Sequence, residues 1–106
     1  MDTITSKLED AHRNWLDQIR AWERELTEME EVNGHIVEKT DSKDAHKKVE
    51  HFQNQILIQK QRLDQMKHNI KVFGGNVEKG QQELDDYRTF YEGFRDDFSG
   101  FSNQYN

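Results

Sequence analysis

Five histidines and twenty-one carboxylates are the side chains of this sequence best suited to chemistry. Glu9 and His12 are three apart, which on a helix puts a carboxylate and an imidazole on one face, as in di-metal carboxylate bundles. Such sites take two Glu-x-x-His motifs and two further Glu, and a second Glu-x-x-His is absent. His46 and Glu50, and Asp64 and His68, are four apart, but both pairs fall mainly outside the apolar stripe described below. His12 therefore reads as a partly buried seam residue and the other histidines as solvated, and no metal ligand is expected. There is no Cys, which excludes disulfides, thiolate metal sites and a thiol nucleophile. The hydroxyl residues, from Thr3 to Ser102, lie in no nucleophile-elbow sequence. Gly74-Gly75-Asn76-Val77-Glu78-Lys79-Gly80 resembles a phosphate loop only superficially. It lacks the Gly-Lys-Ser/Thr ending and a preceding strand, so it reads as a turn and helix cap. Asp85-Asp86 and Asp96-Asp97 are adjacent in sequence, and neighbours on a helix point about 100° apart and form no acid–base dyad. No catalytic residue and no cofactor site is expected.

The basic residues between Lys43 and Lys71 suggest a nucleic-acid stripe at first sight. They are interrupted by Asp44, Glu50 and Asp64, and the chain carries a net charge of -6. That balance favours solubility and opposes non-specific binding to nucleic acid. No apolar run approaches the roughly 18 residues of a membrane span. The start of the chain lacks the basic and apolar stretches of a signal peptide. A cytoplasmic protein with neither a nucleic-acid nor a membrane partner is the expectation.

The elements that carry these side chains are helices. An apolar or aromatic residue recurs every three or four positions from Ala45 to Tyr105, with misses at Gln59 and Gly80. A second series, Leu8, His12, Trp15, Ile19, Trp22, Leu26, Met29, Asn33, Ile36, does the same in the first third. This spacing averages about 3.5 residues and keeps one stripe of a helix facing a partner helix. The 106 residues include no Pro, and only 32% are hydrophobic against 34% charged. Such a composition fills a thin seam between long helices rather than a thick core.

Two interruptions divide the chain. The polar stretch Glu38–Ser42 loses the stripe, and Asp41 or Ser42 can cap a following helix. Gly74-Gly75-Asn76 can end one helix in a left-handed residue and cap the next with Asn76. Helices over about 3–39, 42–73 and 76–104 follow, in a single all-α domain. Residues 1–40 carry 5 basic and 10 acidic side chains, residues 41–73 carry 7 and 4, and residues 74–106 carry 3 and 7. A basic middle helix between two acidic ones matches an antiparallel up-down-up three-helix bundle of coiled-coil type. The rival is one unbroken helix from 42 to 104 in a dimeric hairpin, because the stripe passes through the glycines without a slip. In the bundle, residues of the first two helices pair with numbers summing to about 80, and those of the last two to about 150. Trp15 is then level with Met66 and Leu84. Trp22 lies beside Gln59 and Tyr91, where Gln59 can use a tyrosine hydroxyl or the indole N–H. Asn33-Gly34 could also end the first helix early, leaving His35–Ser42 as a linker. The layout is similar to a spectrin-type repeat in its three long helices and the Trp of the first. It departs from that pattern in having no Trp in the third helix and no tandem copy.

Leu57 and Ile58, next to Ile56 in the middle helix, and Phe90 among the aromatics of the last 20 residues are apolar off the series. Excess apolar side chains of this kind mark an interface. The sequence thus points to a non-enzymatic helical interaction or structural module that self-associates as a homo-oligomer and meets a protein partner it does not identify. The alternatives are a metal- or small-molecule-binding bundle formed on dimerisation, and a small helical substrate or chaperone of a secretion system.

Overall fold

In a computed structural model, the backbone is described for residues 3–73 and 76–105, and side chains for 9–70 and 76–105. Three helices follow one another, α1 Thr3–Lys39, α2 Lys43–Phe73 and α3 Val77–Ser102, and a short 3₁₀ turn, Asn103–Tyr105, extends the last. They pack up-down-up into an elongated bundle of 62 × 19 × 17 Å. A continuous helix from 42 to 104 would be about 95 Å long at 1.5 Å per residue. The unbroken-helix alternative is therefore wrong: α2 ends at Phe73 and α3 returns along it. The expected reversal at Gly74-Gly75 itself lies outside the described residues.

The helix ends are set by short polar side chains. Ser42 Oγ accepts from the backbone N–H of Ala45 at 3.3 Å, and Thr40 Oγ1 accepts from that of Ser42 at 3.1 Å. Ser42, not Asp41, is thus the cap of α2. Asn76 Oδ1 accepts from the backbone N–H of Lys79 at 3.0 Å and caps α3. Each cap satisfies an amide that the first helical turn leaves without an intrahelical partner. The Asn33-Gly34 pair does not end α1, which continues to Lys39. Asn33 is buried and its Nδ2 donates 2.8 Å to the carbonyl of Val49 on α2. That bond gives a polar seam residue a partner and lets the helix run through it.

The seam is buried along its length. Trp15, Ile19, Trp22, Leu26, Met29 and Ile36 from α1 meet Val49, Phe52, Ile56, Leu63, Met66 and Ile70 from α2. Leu84, Tyr87, Tyr91, Phe94, Phe98 and Phe101 close the third side. Burying a large apolar side chain stabilises by about 1.5–3 kcal/mol, so a single file per helix suffices. At one end Phe52 is held by Phe94, Phe98 and Phe101, with ring centroids 6.1, 5.3 and 5.1 Å away. In the middle Trp22 packs edge-on against Tyr87 at 4.9 Å and tilted against Tyr91 at 5.8 Å.

The register between α1 and α3 is shorter than expected by about one turn. Trp15 Nε1 donates to Gln81 Oε1 at 3.0 Å, and Tyr91 donates to Glu25 at 2.7 Å, both pairs 66 positions apart. Trp15 therefore faces Gly80 and Gln81 rather than Leu84. A bulky indole needs a gap in the facing row, and Gly80 is where that row has one.

Candidate interaction surface

The polar groups inside the bundle are few, and their surroundings limit what they can do. Gln59 is 1% exposed and its Oε1 has no hydrogen-bond partner among the described residues, so the expected bond to a tyrosine or indole does not form. Tyr87 Oη is likewise buried without a partner. Tyr91 Oη donates to Glu25 Oε2 at 2.7 Å, and Arg95 lies 3.9 Å from Glu25 Oε1. Burial raises the pKa of Tyr87, and burial together with the Glu25 hydrogen bond raises that of Tyr91. Both phenols are thus held protonated, Tyr91 as a hydrogen-bond donor to Glu25 and Tyr87 packed among the core rings.

The His12 ring lies tilted at 5.4 Å from that of Trp15, and its Nε2 has no partner among the described residues. His35 pairs with Glu38 on the surface, and His46 Nε2 lies 2.7 Å from the carbonyl of Thr40. Among the described residues, no three His, Asp or Glu side chains converge on a point a metal ion could occupy. No described helix is long and apolar enough to cross a membrane.

The outer faces differ in how the helices are tied together. Across α1 and α2, Lys60 reaches Glu30 at 3.4 Å and Lys67 reaches Glu23 at 2.8 Å. Gln53 donates to the same Glu30 at 3.1 Å. The Lys67 ammonium pKa is raised, chiefly by its hydrogen bond to Glu23. Across α1 and α3, Glu25 holds both Tyr91 and Arg95, and Gln81 holds Trp15. Between residues 43–70 of α2 and 80–102 of α3, the described side chains form neither a hydrogen bond nor an ion pair across the two helices. Only rings and cations meet there: Arg62 lies 5.4 Å from the ring centres of Tyr87 and Phe90, and Lys48 lies 5.9 Å from that of Phe101.

This side also carries an open groove of about 690 Å³, walled by His51, Phe52 and Gln55 on α2 and by Phe90, Gly93, Phe94 and Asp97 on α3. A β-carbon at Gly93 would meet nothing within 4 Å, so the glycine leaves the wall low. No known protein family, curated protein or solved structure matches this chain. The surface must be judged on its own geometry.

The three residues singled out from the sequence are all exposed: Leu57 46%, Ile58 50% and Phe90 46%. Phe90 lines the α2–α3 groove, and Ile58 lies on the same flank of α2 as Gln55, which lines it, and Arg62, which covers the Phe90 ring. Leu57 is not brought to them. Successive residues of a helix point about 100° apart, and Leu57 falls on the opposite flank, one turn from Gln53 and Lys60, which bind Glu30 of α1. The sequence reading did not assign Phe52, Gln55, Gly93 and Phe94 to a groove. Both phenylalanines belong to the seam series, and nothing in that periodicity tells a core ring from one whose edge lines a cleft.

Proposed function

We propose that this chain is a non-enzymatic helical interaction module that self-associates. The observation that carries this reading is the α2–α3 flank of the bundle. The two flanks that involve α1 are tied by hydrogen bonds and ion pairs. From Gly80 onward the α2–α3 flank has neither among the described residues, and it presents the half-exposed Phe90 in the wall of an open groove and the half-exposed Ile58 on the same flank. Apolar side chains grouped beside a groove lose water favourably when a second surface covers them. Long helices with charged outer faces suit a scaffold that displays such a surface, and the buried phenols and scattered histidines supply no converging acid, base or nucleophile.

The test is the mass of the purified chain in solution. Sedimentation equilibrium over a hundredfold concentration range should give a mass rising above the 12.7 kDa of one chain. A mass that stays at that value throughout would refute self-association.

A further inference from the structure

Two stripes of matching spacing run along the α2–α3 flank, and the groove lies between part of them. On α2, His51, Gln55, Ile58 and Arg62 follow at intervals of four, three and four, which stacks them on one flank. His51 and Gln55 line the groove and Arg62 covers the Phe90 ring, so this flank is the one beside α3. On α3, Asp86, Phe90, Gly93 and Asp97 have the same intervals. The two helices are antiparallel, so the stripes run level in reverse order: His51 with Asp97, Gln55 with Gly93, Ile58 with Phe90, Arg62 with Asp86. One stripe carries the Arg62 guanidinium at one end and an imidazole at the other, the opposite stripe is acidic at both ends, and each has its apolar residue at the same height.

We infer that this face docks a second copy of the chain, with the two bundles side by side and their long axes parallel. The inference rests on the self-association proposed above and specifies its geometry. Rotating a copy by 180° about an axis along the bundle lays α2 of each copy on α3 of the other and keeps every residue at its own height. Ile58 then meets Phe90 of the second copy, and Arg62 meets Asp86 of the second copy, each twice, as a twofold interface requires. His51 meets Asp97, where an imidazole N–H can donate to the carboxylate. Rotation about an axis across the bundle would instead lay α2 on α2 and α3 on α3, with Arg62 near His51 and Asp86 near Asp97. The Asp86 and Asp97 carboxylates would then face each other, twice, and Arg62 would have no carboxylate opposite it, which disfavours that pairing.

The charges are available for this use. Among the described residues neither Arg62, Asp86 nor Asp97 takes part in an ion pair within the chain; Arg62 rests on two rings, and Asp86 accepts from Gln82. Glu23, Glu25 and Glu30, on the flanks next to α1, are by contrast all engaged inside the bundle.

The experiment uses two single variants of the full chain, Arg62→Glu and Asp86→Arg. Each alone sets like charges against each other twice and should weaken dimerisation at least about tenfold. Mixed, they should form a heterodimer at close to the wild-type affinity, because Glu against Arg and Asp against Arg are then the only contacts at this level. In the crossed arrangement the mixture gains nothing over the two homodimers. A second measurement does not depend on the charge variants folding. The chain has no Cys, so Lys43→Cys carries a single spin label at the start of α2. The parallel dimer places two such labels within about 25 Å, given axes 8–10 Å apart. The crossed one places them about 40 Å or more apart at 1.5 Å per residue. A preferred heterodimer and the short distance establish the arrangement. A dimer with no heterodimer preference, or with the long distance, overturns it and leaves self-association standing. A monomer at every concentration overturns both.

Discussion

Trp15 and Gly80 share one space. The six-membered ring of Trp15 lies where a β-carbon on Gly80 would stand, with Cζ3 only 2.7 Å from that point. The indole nitrogen is fixed one residue further on, by Gln81. A glycine inside an exposed helix costs about 0.5–1 kcal/mol relative to alanine, so the usual effect of Gly→Ala is stabilising. Gly80→Ala should do the reverse and destabilise by about 1–3 kcal/mol through overpacking. Gly34→Ala, where a β-carbon meets nothing within 4 Å, should stabilise by about 0.5–1 kcal/mol. Urea titration of the two variants shows the opposite signs. Trp15→Leu combined with Gly80→Ala should recover part of the Gly80→Ala loss, since the clash disappears with the ring.

Asn76 holds the start of α3 through one side-chain bond to Lys79 N–H. Asn76→Ala should lower stability by about 1 kcal/mol, and Asn76→Asp should leave it nearly unchanged, because aspartate accepts the same bond. Urea midpoints measure both. Equal losses for the two variants would show that the bond is not what holds the helix start.

Most of the fold was readable in the sequence, because one rule, a recurring apolar residue at helical spacing, governs the whole chain. Every member of the two series with a described side chain is buried or partly buried, including Asn33 and Gln59. The register was harder to read. Gly80 counted as a miss in the series, whereas it is the socket for Trp15, and only the facing helix shows that. The candidate surface was half readable. Ile58 and Phe90 stood out by being apolar off the stripe, but Leu57 looked the same and lies on another flank. The polar members of the two outer stripes carry the same spacing as the core. They were missed because a pattern of one apolar and three polar residues does not register as hydrophobic periodicity. Their meaning depends on which charges are already engaged inside the bundle, a tertiary property.

Tyr87 and Tyr91 make the bundle sensitive to alkali. Both pKa values are raised in the folded chain, mainly by burial, above the usual tyrosine value of about 10. The folded state thus holds these protons more tightly than the unfolded state. Their contribution is fully present below about pH 10 and is lost as pH rises above it, where unfolding releases protons. Tyr87 Oη has no partner among the described residues. Tyr87→Phe should therefore be neutral or stabilising at pH 8, by up to about 1 kcal/mol, and should reduce the fall in stability between pH 10 and 11. Tyr91→Phe should cost about 1 kcal/mol at pH 8 by removing the bond to Glu25, and should also reduce the alkaline fall. Urea midpoints from pH 8 to 11 test all three statements, and an unaltered slope in Tyr87→Phe would place its phenol in water.

Leu57 and Ile58 are neighbours of similar exposure with different expected roles. Ile58 lies toward α3, one turn from Gln55 and Arg62 and level with Phe90, while Leu57 lies toward α1, one turn from residues that bind Glu30. Leu57→Lys should leave both helicity and the dimerisation constant unchanged, because a lysine there stays in solvent and its stem still covers the same surface. Ile58→Glu should keep full helicity, since the side chain is half exposed in the single chain, and should weaken dimerisation at least about tenfold by burying a charge in the contact. Circular dichroism and sedimentation on the pair separate the roles. Equal dissociation by both variants would mean that the contact spans the whole outer face of α2. Loss of helicity in Ile58→Glu would mean that this side chain belongs to the core of one bundle.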